Sequence, residues 1–164
     1  MTDWIDSVTA LSQGSLEGTG LKIAIVVSRF SGEPCQRLLD GALERLMELG
    51  TSQQDIDVTS VPGAFEIPIV ATELSRGRPR KYDAIITLGV LLRGETPHFD
   101  LIAAEVTRAL SETARTTGVP VSFGVLTAET SEQASDRAGG KMGNRGWDAA
   151  QAAIEMACLG RELG

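Results

Sequence analysis

The chain has 164 residues, 42% apolar and 23% charged, which is the composition of one globular domain able to hold a core without covalent staples. Fifteen Lys and Arg against 22 Asp and Glu leave a formal charge of -7, and aromatics make up only 4%. An acidic chain poor in stacking rings argues against a nucleic-acid binder. No apolar stretch approaches the ~20 residues that span a bilayer, and the first twenty residues lack a basic start and an apolar run, so the expected location is cytoplasmic and no membrane partner is expected. Cys35 and Cys158 lie far apart in no metal or redox spacing, on the apolar faces of expected helices. They read as buried free thiols of a reducing compartment.

Residues 1–20 carry little pattern and form an expected N-terminal arm ahead of one domain over 21–164. Leu21 to Val27 is an almost continuous apolar run, as in a strand buried on both faces. Arg29 to Pro34 is a loop, and Cys35, Leu38, Leu39, Ala42, Leu43 and Leu46 follow helical spacing until Gly50. Ile56 to Val61 is a strand, and a helix is expected from about Ala64 to Ser75. The basic loop from Arg76 to Lys81 reads as a solvated turn. Tyr82 to Val90 is a second buried strand, Leu91 to Pro97 a loop, and Phe99, Ile102, Ala103, Val106 and Leu110 mark a long helix. Val119 to Leu126 is a further strand of the buried type. Thr130 to Ala138 is a short helix with Thr130 at the N-cap and Gln133 in the capping-box position. Gly139 to Gly143 breaks it, and Asn144 to about Leu159 is the terminal helix.

This alternation implies an α/β fold: one three-layer αβα domain with a mainly parallel four-stranded sheet and helices on both faces. Ligands of such sheets bind outside the carboxyl ends of the strands, so the informative loops are 28–34, 61–66, 90–98 and 126–130. Phe30, in the first, is either a cap over the local core or a platform for a flat ring, and the residue alone favours the cap. Gly63 allows close backbone approach. Glu66 reads either as a charge favoured by a helix start or as a ligand to substrate. Gly89 to Asp100 leaves a buried strand, turns on Gly94 and enters a helix near Pro97, whose backbone N–H groups make an anion site. It matches neither a P-loop nor a dinucleotide fingerprint. His98, the only histidine, sits within a turn of that site and reads equally as an exposed structural residue or as a proton carrier. Arg137, Lys141 and Arg145 are either solvated surface or the cations that complete the pocket. A serine triad lacks its elbow motif, and metal catalysis lacks ligands.

Six blocks occur in order: Ser28-Arg29-Phe30; Val61-Pro62-Gly63-Ala64-Phe65-Glu66-Ile67-Pro68; Arg93-Gly94-Glu95-Thr96-Pro97-His98-Phe99-Asp100; Phe123-Gly124-Val125-Leu126-Thr127; Glu132-Gln133-Ala134 with Arg137; and Gly143-Asn144-Arg145-Gly146 with Ala149-Ala150. Together they strongly resemble the 6,7-dimethyl-8-ribityllumazine synthase family over about Leu21 to Leu159. The resemblance implies a flavodoxin-like fold and a transferase of riboflavin biosynthesis. The implied reaction joins 5-amino-6-(D-ribitylamino)uracil to 3,4-dihydroxy-2-butanone 4-phosphate, releasing the lumazine, phosphate and water, without metal, cofactor or covalent protein nucleophile. Phe30 is then the stacking partner of the pyrimidine. Ala64, Phe65 and Glu66 line the ribityl chain, and Val90, Leu91 and Leu92 lie near the heterocycle. Glu95 and Thr96 hold the phosphate together with Arg137. Phe123 and Arg145 arrive from the neighbouring subunit's side, and His98 shuttles protons, with Asp100 able to orient it.

The resemblance also implies a homo-pentamer whose arms each add a strand to a neighbour's sheet. The short glycine-rich segment after Gly139 points to twelve pentamers in a shell of sixty, which could enclose riboflavin synthase. Ser31 and Arg145 depart from the Asn and Lys usual at these positions. The competing expectation is a flavin or lumazine carrier, or a shell protein, without catalysis.

Overall fold

The apolar run of the first strand forms β1 (Ile23–Ser28), buried along its whole length in this computed structural model, which describes residues 12–77 and 79–163. Strands β2 (Ile56–Val61), β3 (Ala84–Leu92) and β4 (Val121–Ala128) join it in the order β2-β1-β3-β4, all parallel. Alternate residues of β1 enter two cores. Ile23, Ile25 and Val27 pack with α1 (Glu33–Glu48) and α5 (Arg145–Leu163), while Ala24 and Val26 pack with α2 (Ile67–Ser75) and α3 (His98–Thr117). The four-stranded parallel sheet between two helical layers is therefore the fold expected from the alternation. No helix of the described residues is long and apolar enough to cross a membrane.

The elements differ from expectation in instructive ways. The helix expected from Ala64 opens as a 3-10 turn over Ala64–Glu66, and α2 starts at Ile67. Pro68 has no N–H to return to the Ala64 carbonyl, so an α-helix cannot run through it from that point. β3 begins at Ala84 rather than Tyr82 and continues to Leu92, taking Leu91 and Leu92 out of the expected loop. β4 runs from Val121, not Val119. It is an edge strand with Phe123 and Thr127 exposed, not a strand of the fully buried type.

α4 (Ser131–Arg137) has the expected N-cap: Thr130 accepts from the Gln133 N–H, while the Gln133 side chain accepts from the Glu129 N–H. The glycines after α4 form a small antiparallel hairpin, β5 (Ala138–Gly140) with β6 (Gly143–Asn144), where only a break was expected. α5 runs on to Leu163, beyond the expected end at Leu159.

Cys35 is buried, its Sγ 3.5 Å from Ser28 Oγ. Cys158 is only partly buried, and its thiol donates to the Glu17 carbonyl at 3.4 Å, so the expectation of two buried thiols holds for Cys35 alone. That second contact comes from a stretch of the expected arm. Gly14 sits so close to α5 that a Cβ would overlap the Glu155 carbonyl, and the Gly18 N–H donates to the Leu49 carbonyl at 2.7 Å. The segment from Gly14 to Gly20 therefore runs over its own domain. Residues 1–11 of the arm, which would carry the expected strand exchange, lie outside the described residues.

Candidate active site

A chain that moves outward from β1 to β2, then crosses to β3 on the far side of β1, leaves a crevice where the order reverses. The carboxyl ends of β1, β2 and β3 open onto a cleft of about 1100 Å³ there. Its walls include Phe30 and Ser31 after β1, Gly63 to Glu66 after β2, Val90 to Leu92 at the end of β3, and Gly94, Thr96 and His98 beyond.

The β1–α1 loop is fixed from below. The Arg29 N–H donates to the Val61 carbonyl at 2.9 Å and its guanidinium to Ser60 Oγ at 3.2 Å, while Ser31 Oγ donates to the Val90 carbonyl at 3.0 Å. These contacts hold the loop and turn Phe30 outward, 89% exposed. Phe30 therefore does not cap the core, contrary to what the residue alone favours. Its ring is free on the cleft wall, as a platform would be. The serine that stands where Asn is usual spends its hydroxyl on holding β3 rather than pointing into open space.

After β2, Gly63 leaves room that the Glu66 carboxylate fills, since a Cβ on Gly63 would lie 3.0 Å from Glu66 Oε2. Glu66 stands at the N-cap of α2 but makes no side-chain cap hydrogen bond. Its carboxylate is half-buried on the cleft wall. Ala64 is buried beneath it and Phe65 is exposed. Gly89 lets β3 pass close to this turn, because a Cβ there would press on Ile67 Cδ1 and Ser28 Oγ, both at 3.1 Å.

The third loop begins where β3 ends. The Arg93 N–H donates to the Ala128 carbonyl at 2.9 Å. Residues 94–97 then turn into α3, whose twenty residues put a helix N-terminus behind Thr96 and His98. His98 is the first residue of α3, exposed and on the cleft wall. Asp100 does not orient it. Both Asp100 oxygens accept from Arg93, at 2.9 Å each, and the Arg93 guanidinium holds the Asp100 carboxyl below the usual carboxylate range. The Arg93 fork, seven residues back, takes both oxygens of this carboxylate.

One chain thus brings together Phe30, Ala64, Phe65, Glu66, Val90, Leu91, Leu92, Thr96 and His98. Glu95, Phe123, Arg137 and Arg145 are not on this wall. Phe123 projects from the edge strand β4, and Arg137 rests on the Gln133 carbonyl at the end of α4. Arg145 pairs with Asp148 at 2.9 Å, and Lys141 with Asp136 at 3.0 Å. Sequence reasoning misses the far wall of the cleft, formed by Leu101, Glu105 and Arg108 of α3. These recur at helical spacing opposite the buried stripe of Val106 and Leu110, which is the available signal. It also misses Arg93, whose opposite charge to Asp100 brackets the Gly94–Pro97 turn.

Comparison with known proteins identifies the family. The family model described as 6,7-dimethyl-8-ribityllumazine synthase matches residues 20–161. A protein of that name from Syntrophus aciditrophicus (strain SB) is 49% identical over 153 residues, covering 93% of this chain and 98% of the relative. Another, from Chlorobaculum tepidum, is 52% identical over 151 residues, covering 92% of this chain and 96% of the relative. With matches that take in the whole sheet, the cleft and the terminal helix, the chain belongs to the 6,7-dimethyl-8-ribityllumazine synthase family, transferases of riboflavin biosynthesis.

Proposed function

We propose that the protein condenses 5-amino-6-(D-ribitylamino)uracil with 3,4-dihydroxy-2-butanone 4-phosphate to give 6,7-dimethyl-8-ribityllumazine. The observation that carries this reading is the convergence of an exposed aromatic ring, a carboxylate, a helix-start turn and the single histidine on one cleft. Phe30 stacks on the pyrimidine, Glu66 accepts from ribityl hydroxyls, and the turn around Glu95 and Thr96 holds the phosphate. Attack of the pyrimidine amine on the ketone releases water and leaves an imine. Elimination of phosphate, with loss of the proton from the carbon bearing the 3-hydroxyl, leaves an enol there; its tautomerisation gives the methyl group and a new carbonyl, and closure of the ribitylamine nitrogen onto that carbonyl releases water again. No electron is gained or lost from an outside donor, and no protein nucleophile is consumed. Each step moves a proton, and His98 carries it. Holding both reactants in the cleft can supply about 7–11 kcal/mol of the barrier.

The domain over residues 21–164 works in this reading as part of a pentamer. Phe123, Arg137 and Arg145 are absent from the cleft wall of their own chain. We assign them to the cleft of the adjacent subunit, Arg137 toward the phosphate and Phe123 over the pyrimidine.

The test is direct. Purified protein is mixed with both substrates and lumazine fluorescence is followed, with the spontaneous condensation subtracted. Product formation well above the spontaneous rate is expected. Tight binding of the lumazine without acceleration would instead make the protein a carrier on this fold.

A further inference from the structure

Arg93 is the most fully engaged side chain around the cleft. Its Nε donates to Glu129 Oε1 at 3.0 Å in an ion pair that also places Oε2 at 2.8 Å, and its two Nη atoms donate to Asp100, at 2.9 Å each. Its face lies over the Phe99 ring, 4.3 Å from the centroid. The guanidinium therefore spans two connections: the β3–α3 turn, through Asp100 and Phe99, and the β4–α4 connection, through Glu129. Between Arg93 and Asp100 lie the four residues of the turn and His98 itself. We propose that Arg93 is a positioning residue of this site: it closes residues 94–100 into the shape that receives a phosphate ester, and it cancels Asp100 and Glu129, two carboxylates that would otherwise repel that dianion.

The inference rests on reading the turn at Glu95 and Thr96 as the phosphate site. A rival role, Arg93 as a direct phosphate ligand, is disfavoured by its occupancy: both edges of the fork and one face are already taken. A merely stabilising role is disfavoured by exposure. Asp100 and Glu129 are more than half exposed, and ion pairs in such places add little to the stability of the whole domain. What the pairs can set is local: the path of a short turn, and the field at its mouth. Phe99 supports the same geometry, since the stacked guanidinium fixes the first turn of α3 against β3.

The experiment compares R93Q, R93K and the double variant R93Q/E129Q with the unaltered full-length protein, each checked for intact assembly. KM is measured for both substrates, together with inhibition by inorganic phosphate. For R93Q, the butanone phosphate KM and the phosphate inhibition constant are expected to rise about tenfold, while the pyrimidine KM stays within about twofold. R93K keeps the charge and loses the fork. It is expected to recover the part of the KM that comes from charge but not the part that comes from the fork, because a lysine cannot hold the turn at two points. Removing one stranded carboxylate in R93Q/E129Q is expected to restore part of the phosphate affinity. Equal rises in both KM values, or phosphate inhibition unchanged in R93Q, would overturn the proposal, as would a double variant no better than R93Q. If the unaltered protein itself formed no lumazine and ignored phosphate, the phosphate reading of the turn would fall first. If it did both and R93Q matched it, the inference about Arg93 would fall alone.

Discussion

His98 shows how position, not residue type, selects a role. Its ring stands at the head of α3 on the cleft wall, and the nearest carboxylate in sequence, Asp100, is engaged by Arg93. In the proposed reaction His98 would therefore act without Asp100 as a partner. His98→Ala is expected to cut enzyme-dependent turnover by about 10²–10⁴-fold with assembly unchanged. Steady-state rates corrected for spontaneous condensation check this, and an undiminished rate would remove His98 from the mechanism. Phe30 makes a contrasting case. Because it touches solvent rather than core, Phe30→Ala should leave thermal stability almost unchanged while weakening a ribityl-pyrimidine ligand more than phosphate. Calorimetric titration of both ligands distinguishes this from a structural role, which would lower the melting temperature instead.

The Arg93–Asp100 pair also has a defined pH behaviour. Asp100 is held below the usual carboxylate range by hydrogen bonding to Arg93, so the pair is complete above the ordinary carboxylate pKa of about 3.9 and opens only as pH falls through the depressed value. Loss of activity between about pH 5 and 8 would therefore not come from this clamp. Carboxyl NMR of Asp100 should show a lower midpoint in the unaltered protein than in R93Q.

At the scale of elements, the junction of α1 with β6 and α5 explains a block of sequence that resembled a site. Asn144 Oδ1 accepts from the N–H of Gly146 at 2.8 Å and Nδ2 donates to the Arg37 carbonyl of α1 at 2.8 Å, so one side chain caps α5 and ties it to α1. Gly41 and Gly146 make the space. A Cβ on Gly41 would overlap the Asn144 amide, and one on Gly146 would overlap the Leu38 carbonyl. Asn144→Ala is expected to cost about 1–3 kcal/mol, from a lost cap and an unpaired carbonyl. Asn144→Asp keeps the acceptor for α5 but loses the donor to α1, so it should fall between the two in urea denaturation.

The same contrast between local and distant causes decides how much of the fold is legible in the sequence. β1 and β3 are readable because burial on both faces leaves a continuous apolar run, and Thr130 with Gln133 announces the α4 cap because capping is local. β4 reads as fully buried, and wrongly so, because its position at the sheet edge depends on three other strands. The β5–β6 hairpin escapes notice because isolated glycines mark a break but do not specify a strand pairing beyond it. In the cleft, the loop residues stand out by type, as does His98. The α3 wall and the Arg93 clamp do not, because each is a relation between residues that only the folded turn brings together.

At the scale of the molecule, the cleft face is too apolar for a chain that stands alone. Phe30, Phe65 and Leu101 line it, Ile69 of α2 is 67% exposed, and Phe123 is bare on the edge strand. Exposed apolar groups gathered around one cleft are what a partner covers. Under the proposed shared site a second copy of this chain would fit the need, because it would bring Phe123, Arg137 and Arg145, three of the four site residues that lie off the cleft wall. Purified protein is therefore expected to have the mass of five chains or a multiple of five by light scattering. Closure of twelve pentamers into a shell of sixty, as proposed for this family member, would be visible by electron microscopy. Ile69→Asp puts a charge where the assembly would bury it, a cost of several kcal/mol if unpaired, and should shift the protein to smaller species. If the site is shared as proposed, activity should fall with assembly, because each cleft would lose its neighbour's copies of Phe123, Arg137 and Arg145. A stable five-chain mass would refute the shell and keep the shared site. An Ile69→Asp monomer with full turnover would refute the shared site itself, because every group needed for the reaction would then have to lie on one chain.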